Sequence, residues 1–202
     1  MADHAIAARA ARSLTVDGVG DRLNPVPNAV SYAAFLRAIN VGKHNRVRMV
    51  EVRDAISGLG YDDVGTYLPT GNVAFRSTDD RDAVEARIEE ALTSLGLRDV
   101  DVMVRTRDEL ASLDGGVFEP YPADEFRRMV MFTRLPVEIV DDLPLQVGGV
   151  TVIANGAALL AVMPKQVDRP VNANGAIEKR WKTRATTRWW NVVEDFTRDI
   201  LR

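Results

Sequence analysis

The order of hydrophobic periods between residues 30 and 106 restricts the fold more than any other feature of this chain. "VSYAAFLRA" (residues 30–38) is a short apolar run followed by Asn and Gly, which reads as a buried strand. From Val47 the period changes: Met49, Val52, Ile56 and Leu59 recur at helical spacing, and Gly58 and Gly60 mark the stop. "VGTYLP" and "NVAFRS" then alternate with period two around "TG". Pro69, Gly71 and Asn72 supply turn chemistry, so the pair is expected to be a hairpin. Asp79 and Asp80 open a second helix with Val84, Ile88, Ala91, Leu92 and Leu95 as its buried stripe, and "VDVMVRT" closes the set as a strand. Strand, helix, strand, strand, helix, strand is the order of a ferredoxin-like unit.

A second pass of the same kind follows. After a short helix near residues 107–113 and the connector "VFEPYPADE", "FRRMVMFT" reads as a strand and "PVEIVDDL" as a short helix. "GVTVIA" and "ALLAVM" flank "NG", a strong hairpin signal. "NANGAIEKRWK" and "WWNVVEDFTRDIL" read as helices, the last with Val192, Val193, Phe196, Ile200 and Leu201 as its apolar face, and no further strand is read in this half. Thr186 or Thr187 is expected to cap that final helix. The expected fold is therefore α+β, with two ferredoxin-like-related subdomains packed together. Residues 1–28 are expected to form a flexible tail, 30–106 the first subdomain, 107–125 a connector and 126–202 the second subdomain with its C-terminal helix. "TGN" in one hairpin faintly echoes "ANG" in the other.

Composition narrows the chemistry. At 202 residues with 46% hydrophobic content, folding buries enough surface for a core that needs no staple. Cysteine is absent, which removes disulfides, thiol nucleophiles and Cys-type zinc sites and is compatible with a cytoplasmic location. No apolar run approaches the ~20 residues of a membrane span, so no membrane partner is expected. The formal net charge of −3 gives no global attraction to nucleic acid, and any such case must rest on local patches.

Three segments, "FLRAINVGKHNRVRM" (35–49), "TYLPTGNVAF" (66–75) and "ATTRWWNVV" (185–193), together resemble the bacterial family catalogued as domain of unknown function 1697. The resemblance covers about residues 30 to 202 and implies two α+β subdomains akin to ferredoxin-like units. It implies no established activity. Ala38 stands where the family pattern has glycine, Lys43 and His44 where it has Gly and Lys, Trp189 where it has asparagine, and Val192 where it has threonine.

In "RAINVGKHNRVRM" a strand runs through Gly42 and Lys43 into a helix, a place where backbone N–H groups and the helix dipole can meet an anion. The Walker spacing is missing and His44 stands where Ser or Thr is required, so P-loop hydrolysis is not expected. In the bland reading Asn45 merely caps that helix. His4 and His44 are the only histidines, too few for a zinc site or a convincing triad, and no metal or cofactor is expected. Asp62 with Asp63, and Asp79, Asp80 and Asp82, read as capping and solvation residues. "KRWKTRATTRWWN" holds all three tryptophans among five cations, an arrangement that can stack on bases as well as end a fold.

The candidate site gathers Arg37, Asn40, Lys43, Asn45, Thr70, Asn72, Thr187, Arg188 and Asn191 around one cleft between the subdomains. The expected ligand is anionic, either single-stranded nucleic acid or a phosphorylated metabolite. Two alternatives stand beside it: a small-molecule enzyme with Arg37 and Arg188 as clamps and His44 as proton carrier, and a structural or interaction protein with no ligand.

Overall fold

The structure is a computed structural model and describes residues 28–41, 45–134, 137–139, 141–166 and 171–201. The expected tail up to residue 27, together with Gly42, Lys43 and His44, lies outside the described residues.

The first half follows the expected order: β1 (Val30–Leu36), α1 (Met49–Ser57), β2 (Asp62–Tyr67), β3 (Asn72–Ser77), α2 (Arg81–Ser94) and β4 (Val102–Thr106). They form an antiparallel sheet of order β2-β3-β1-β4, the ferredoxin-like arrangement. Asp80 caps α2 by accepting the Ala83 N–H at 2.9 Å, as its position at the head of the stripe predicts. Val84, Ile88 and Leu92 are buried, but Leu95 is exposed at the helix end and Leu97 takes the core position instead.

The second half holds α3 (Arg107–Ala111), a 3-10 turn (Gly115–Phe118), β5 (Phe126–Thr133), β6 (Leu145–Val147), β7 (Val150–Asn155), β8 (Leu159–Pro164), α4 (Ala173–Trp181), β9 (Ala185–Trp189) and α5 (Trp190–Asp199). Its sheet has the order β6-β7-β8-β5-β9. Three expectations fail here. The described part of "PVEIVDDL" is not helical, since seven residues between Pro136 and Pro144 nucleate a helix poorly. Strand β6 is too short to give a periodic signal. Thr186 and Thr187 do not cap the last helix but lie inside β9, where the β-branched residues of "ATTRW" pair with β5.

The two sheets meet through their inner faces. Helices α1 and α2 cover the outer face of the first sheet over Ala34, Leu36, Val73 and Phe75, and α4 covers the outer face of the second over Met131 and Ala185. Between the sheets lie Ala33, Phe35, Met103, Val130, Phe132, Leu160 and Val162, closed at the margin by Leu110 of α3 and by Val193 and Phe196 of α5. Phe35 and Phe132 stack at the centre, ring centroids 3.8 Å apart.

Around this pair the halves are related by an approximate two-fold. Arg105 pairs with Ala33 across β4 and β1, and Arg188 pairs with Val130 across β9 and β5; in each half the phenylalanine lies two residues further along the inner strand. Each arginine reaches over the opposite sheet. Arg188 lies 5.7 Å from the Phe35 ring and donates to the Leu36 carbonyl; Arg105 lies 5.7 Å from the Phe132 ring and donates to the Thr133 carbonyl. Arg105 also reaches Ala157 in the β7–β8 turn, and Arg188 reaches Thr70 and Gly71 in the β2–β3 turn. Gly71 has φ of +82°, and a Cβ there would stand 2.8 Å from the Ile39 side chain, so this turn accepts only glycine. Truncation of the central ring, Phe132→Ala, is expected to lower unfolding free energy by about 3–5 kcal/mol in a denaturant titration.

Candidate functional site

The loop after β1 is held in a strained form by its own asparagines. Ala38, Asn40 and Asn45 have φ of 62°, 53° and 51°, the left-handed region that asparagine tolerates and alanine does not. The Asn40 amide donates to the Pro69 carbonyl at 2.9 Å and accepts the Val47 N–H at 2.9 Å. Asn45 donates to the carbonyls of Ala38 and Arg98, at 3.0 and 2.6 Å, and accepts the Arg98 N–H at 3.0 Å. Asn45 therefore does not cap α1, whose N-cap is Arg48, with Glu51 accepting the Arg48 N–H. The two asparagines tie the loop to the β2–β3 turn and to the α2–β4 turn.

Arg37 projects from the same loop toward the second half. Its Nε donates to Glu178 of α4 at 2.9 Å and to the Ala185 carbonyl at 3.2 Å, and its Nη1 lies 3.3 Å from Asp101. Above it opens a cleft of about 800 Å³, lined by Arg37 and Asn45, by Arg98 and Asp99 of the α2–β4 turn, and by Asn174 and Glu178 of α4. The first turn of α4 enters this cleft. Asn172 caps it by accepting the Gly175 N–H at 2.9 Å, no acid lies in its first turn, and Lys179 and Arg180 lie in its last. The positive end of its dipole thus faces the void without a neutralising carboxylate on its own first turn. The Arg98 side chain has no hydrogen-bond or ion-pair partner among the described residues.

Arg188 is used otherwise than the sequence suggests. The residue is 7% exposed. Nε donates to Asn72 Oδ1 at 2.6 Å, Nη1 to Thr186 Oγ1 and the Thr187 carbonyl at 2.8 and 2.9 Å, and Nη2 to the carbonyls of Leu36, Thr70 and Gly71 at 2.9, 2.9 and 3.2 Å. A guanidinium has five N–H groups, so none is left for a ligand. Burial pushes this group down to about 10, which leaves it charged at neutral pH. Asn72, itself fully buried, completes the knot by donating to the Tyr67 carbonyl at 2.8 Å and Thr70 Oγ1 at 3.2 Å.

The remaining candidates border two smaller hollows beside the cleft. One, of about 410 Å³, is lined by Thr70, Met129, Met163, Thr187 and Trp189 and shares Asn172 and Asn174 with the cleft. Thr187 Oγ1 donates to Asn174 Oδ1 at 2.6 Å along that boundary. The other, of about 430 Å³, is lined by Asn191 with Trp189, Trp190, Arg127, Lys165 and Glu194. Arg37 and Asn45 thus meet at the cleft, Asn72 and Arg188 are interior, Asn40 holds a loop, and Thr70, Thr187 and Asn191 lie along the adjoining hollows. Lys43 and the proton carrier of the enzyme reading, His44, fall outside the described residues. Arg98 and the first turn of α4 escape sequence reasoning because neither carries a motif; the only signal is an asparagine cap, Asn172, ahead of an acid-free turn. Among the described residues no cluster of metal-ligating side chains is present, and no helix is long and apolar enough to cross a membrane.

Replacing the buried cation in Arg188→Met removes a donor from four carbonyls, those of Leu36, Thr70, Gly71 and Thr187, and from the Asn72 amide oxygen, and is expected to cost at least about 3 kcal/mol in urea unfolding. Arg188→Lys should recover only part of this, having three donors where five are used. By contrast, Ala38→Gly should relieve the left-handed strain and raise stability by up to about 1 kcal/mol by the same measurement.

Comparison with known proteins adds the following. The family described as a protein of unknown function, DUF1697, matches residues 30–141. No curated protein matches the chain. Among solved structures, the conserved bacterial protein SP0830 from Streptococcus pneumoniae is similar, with a TM-score of 0.58 and 19% identity over 86% of this chain and 99% of that one. This likeness is one of fold, and it agrees with the paired sheets described above. The family match spans more than half of the sequence and takes in β1, the strained loop and the β2–β3 turn, and the chain belongs to the DUF1697 family.

Proposed function

We propose that the protein binds a phosphate-bearing ligand in the cleft between its two halves. The observation that carries this reading is the convergence of the Arg98 guanidinium, unpartnered among the described residues, and the acid-free first turn of α4 on one open void. A cation and a helix N-terminus aimed at the same space are complementary to an oxyanion. Arg37 contributes differently. Its charge is shared with Glu178 and Asp101, so it sets the separation of α4 from the strained loop and acts on the ligand only through the local field.

The cleft is open and its lining mixes polar and apolar surface. That suits a ligand held by its phosphate groups, with exchange into solvent, better than an enclosed apolar substrate. Among the described residues the Arg98 side chain makes no hydrogen bond or ion pair, and it is the backbone of that residue that holds Asn45.

Isothermal titration with inorganic pyrophosphate and with 5′-AMP tests the reading. Arg98→Ala is expected to weaken both about ten-fold, with melting temperature unchanged, and raising salt from 50 to 200 mM should weaken wild type as well. Affinity that is equal in Arg98→Ala and wild type, or indifferent to salt, would remove the cleft as the site.

A further inference from the structure

We propose that the ligand is single-stranded nucleic acid, which runs from the cleft past the first turn of α4 and stacks a base on Trp189, with backbone phosphates at Arg127 and Lys165. The inference rests on the cleft reading for the phosphates at its far end; the Trp189 end stands on separate observations.

The first is a local choice that folding does not explain. Trp189 follows Arg188 as Thr106 follows Arg105, and it pairs with Met129 of β5 as Thr106 pairs with Tyr32 of β1. Both residues are the N-cap of the next helix. Thr106 performs that role, its hydroxyl accepting the Glu109 N–H at 3.1 Å while Glu109 returns a bond to the Thr106 N–H. An indole has no acceptor, and α5 begins without a side-chain cap. A position suited to Thr, Ser, Asp or Asn has instead been given to a tryptophan that is 48% exposed. It is the one aromatic among the exposed large hydrophobic side chains of the described residues. A broken local rule without a packing gain marks function rather than folding.

The second observation is charge beside the ring. Arg127 pairs with Met163 on β8 and shares the outer face of the second sheet with Met129 and Trp189. Helix α4 packs Ile177 over Met131 and Ala185 at the other end of that face, and a hollow lined by Met129, Met163 and Trp189 lies at this end. The side chains of Arg127 and Lys165 have no partner among the described residues, and Glu194 is the one acid lining the hollow. A π-face flanked by unpaired cations is complementary to a base with its phosphates, and not to an apolar helix or an acidic peptide alone.

The third is continuity. The cleft and the hollow beside it share Asn172 and Asn174, and that hollow shares Trp189 with the next. A mononucleotide would occupy one of these spaces. Only a polymer of alternating phosphate and base uses all of them.

The test is fluorescence anisotropy of labelled (dT)12 and (rU)12 with the full chain, measured for wild type, Trp189→Ala, Trp189→Phe, Arg127→Ala/Lys165→Ala and Arg98→Ala, with melting curves as the control for folding. Trp189→Ala is expected to weaken oligonucleotide binding ten-fold or more and Trp189→Phe to retain most of it, while 5′-AMP and pyrophosphate affinities stay unchanged. The double variant should lower the slope of log K against log salt by roughly 1.4, at about 0.7 per phosphate. If oligonucleotides bind Trp189→Ala as tightly as wild type, or do not bind wild type at all, the platform is overturned, and the pyrophosphate titration then decides the cleft alone. Loss in Trp189→Ala with no change in Arg98→Ala supports the platform and overturns the path of the strand into the cleft, which the pyrophosphate titration tests separately.

Discussion

Two buried arginines hold the sheets together. Arg188 reaches from the second sheet to backbone carbonyls of the first, and Arg105 reaches back, with the stacked phenylalanines between them. Neither has a carboxylate within ion-pair distance among the described residues; each buried charge is met by carbonyl dipoles. Desolvation lowers the pKa of both groups, so the arrangement is costly and tolerates little loss of geometry. In return it specifies how the sheets dock. Hydrophobic contact between two inner faces permits sliding, whereas a guanidinium that must find carbonyls at a strand end and a hairpin turn does not.

That docking decides where a ligand can go. A ferredoxin-like sheet with helices on one side often offers its open face to bases, through aromatic side chains on the strands. Here both open faces are spent against each other, and Phe35 and Phe132 are core residues. Open space is left at the rim, where the β1 loop, the α2–β4 turn and the start of α4 surround the cleft. The strain of Ala38 belongs to the same place: a loop bent through left-handed residues keeps Arg37 directed at α4 and holds the void open.

The approximate two-fold also shows where the halves diverge. Thr106 and Trp189 occupy equivalent positions, as do Asn72 and Ala158, each beside the residues its opposing arginine grips. The capping threonine serves α3, and the buried asparagine serves the knot. The tryptophan serves neither a cap nor the core, and this difference is visible only once the halves are superimposed by register. In sequence the two hairpins share almost nothing.

The sequence alone determined the first half nearly completely, because its elements show their periods and carry their own start and stop signals, such as the Asp80 cap and Gly58. It determined the α+β class from the order of its hydrophobic periods and the family resemblance from three segments, in two of which Asn40, Asn45 and Gly71 answer to local backbone geometry. It mistook β9 for the prelude to a helix, since that strand runs straight into α5 and "TTR" fits a cap as well as a strand. Only the tertiary structure decided what the arginines do. Charge is written in the sequence, but burial is not: Arg188 is sealed because an opposing sheet arrives over it, and Arg98 is left open because none does.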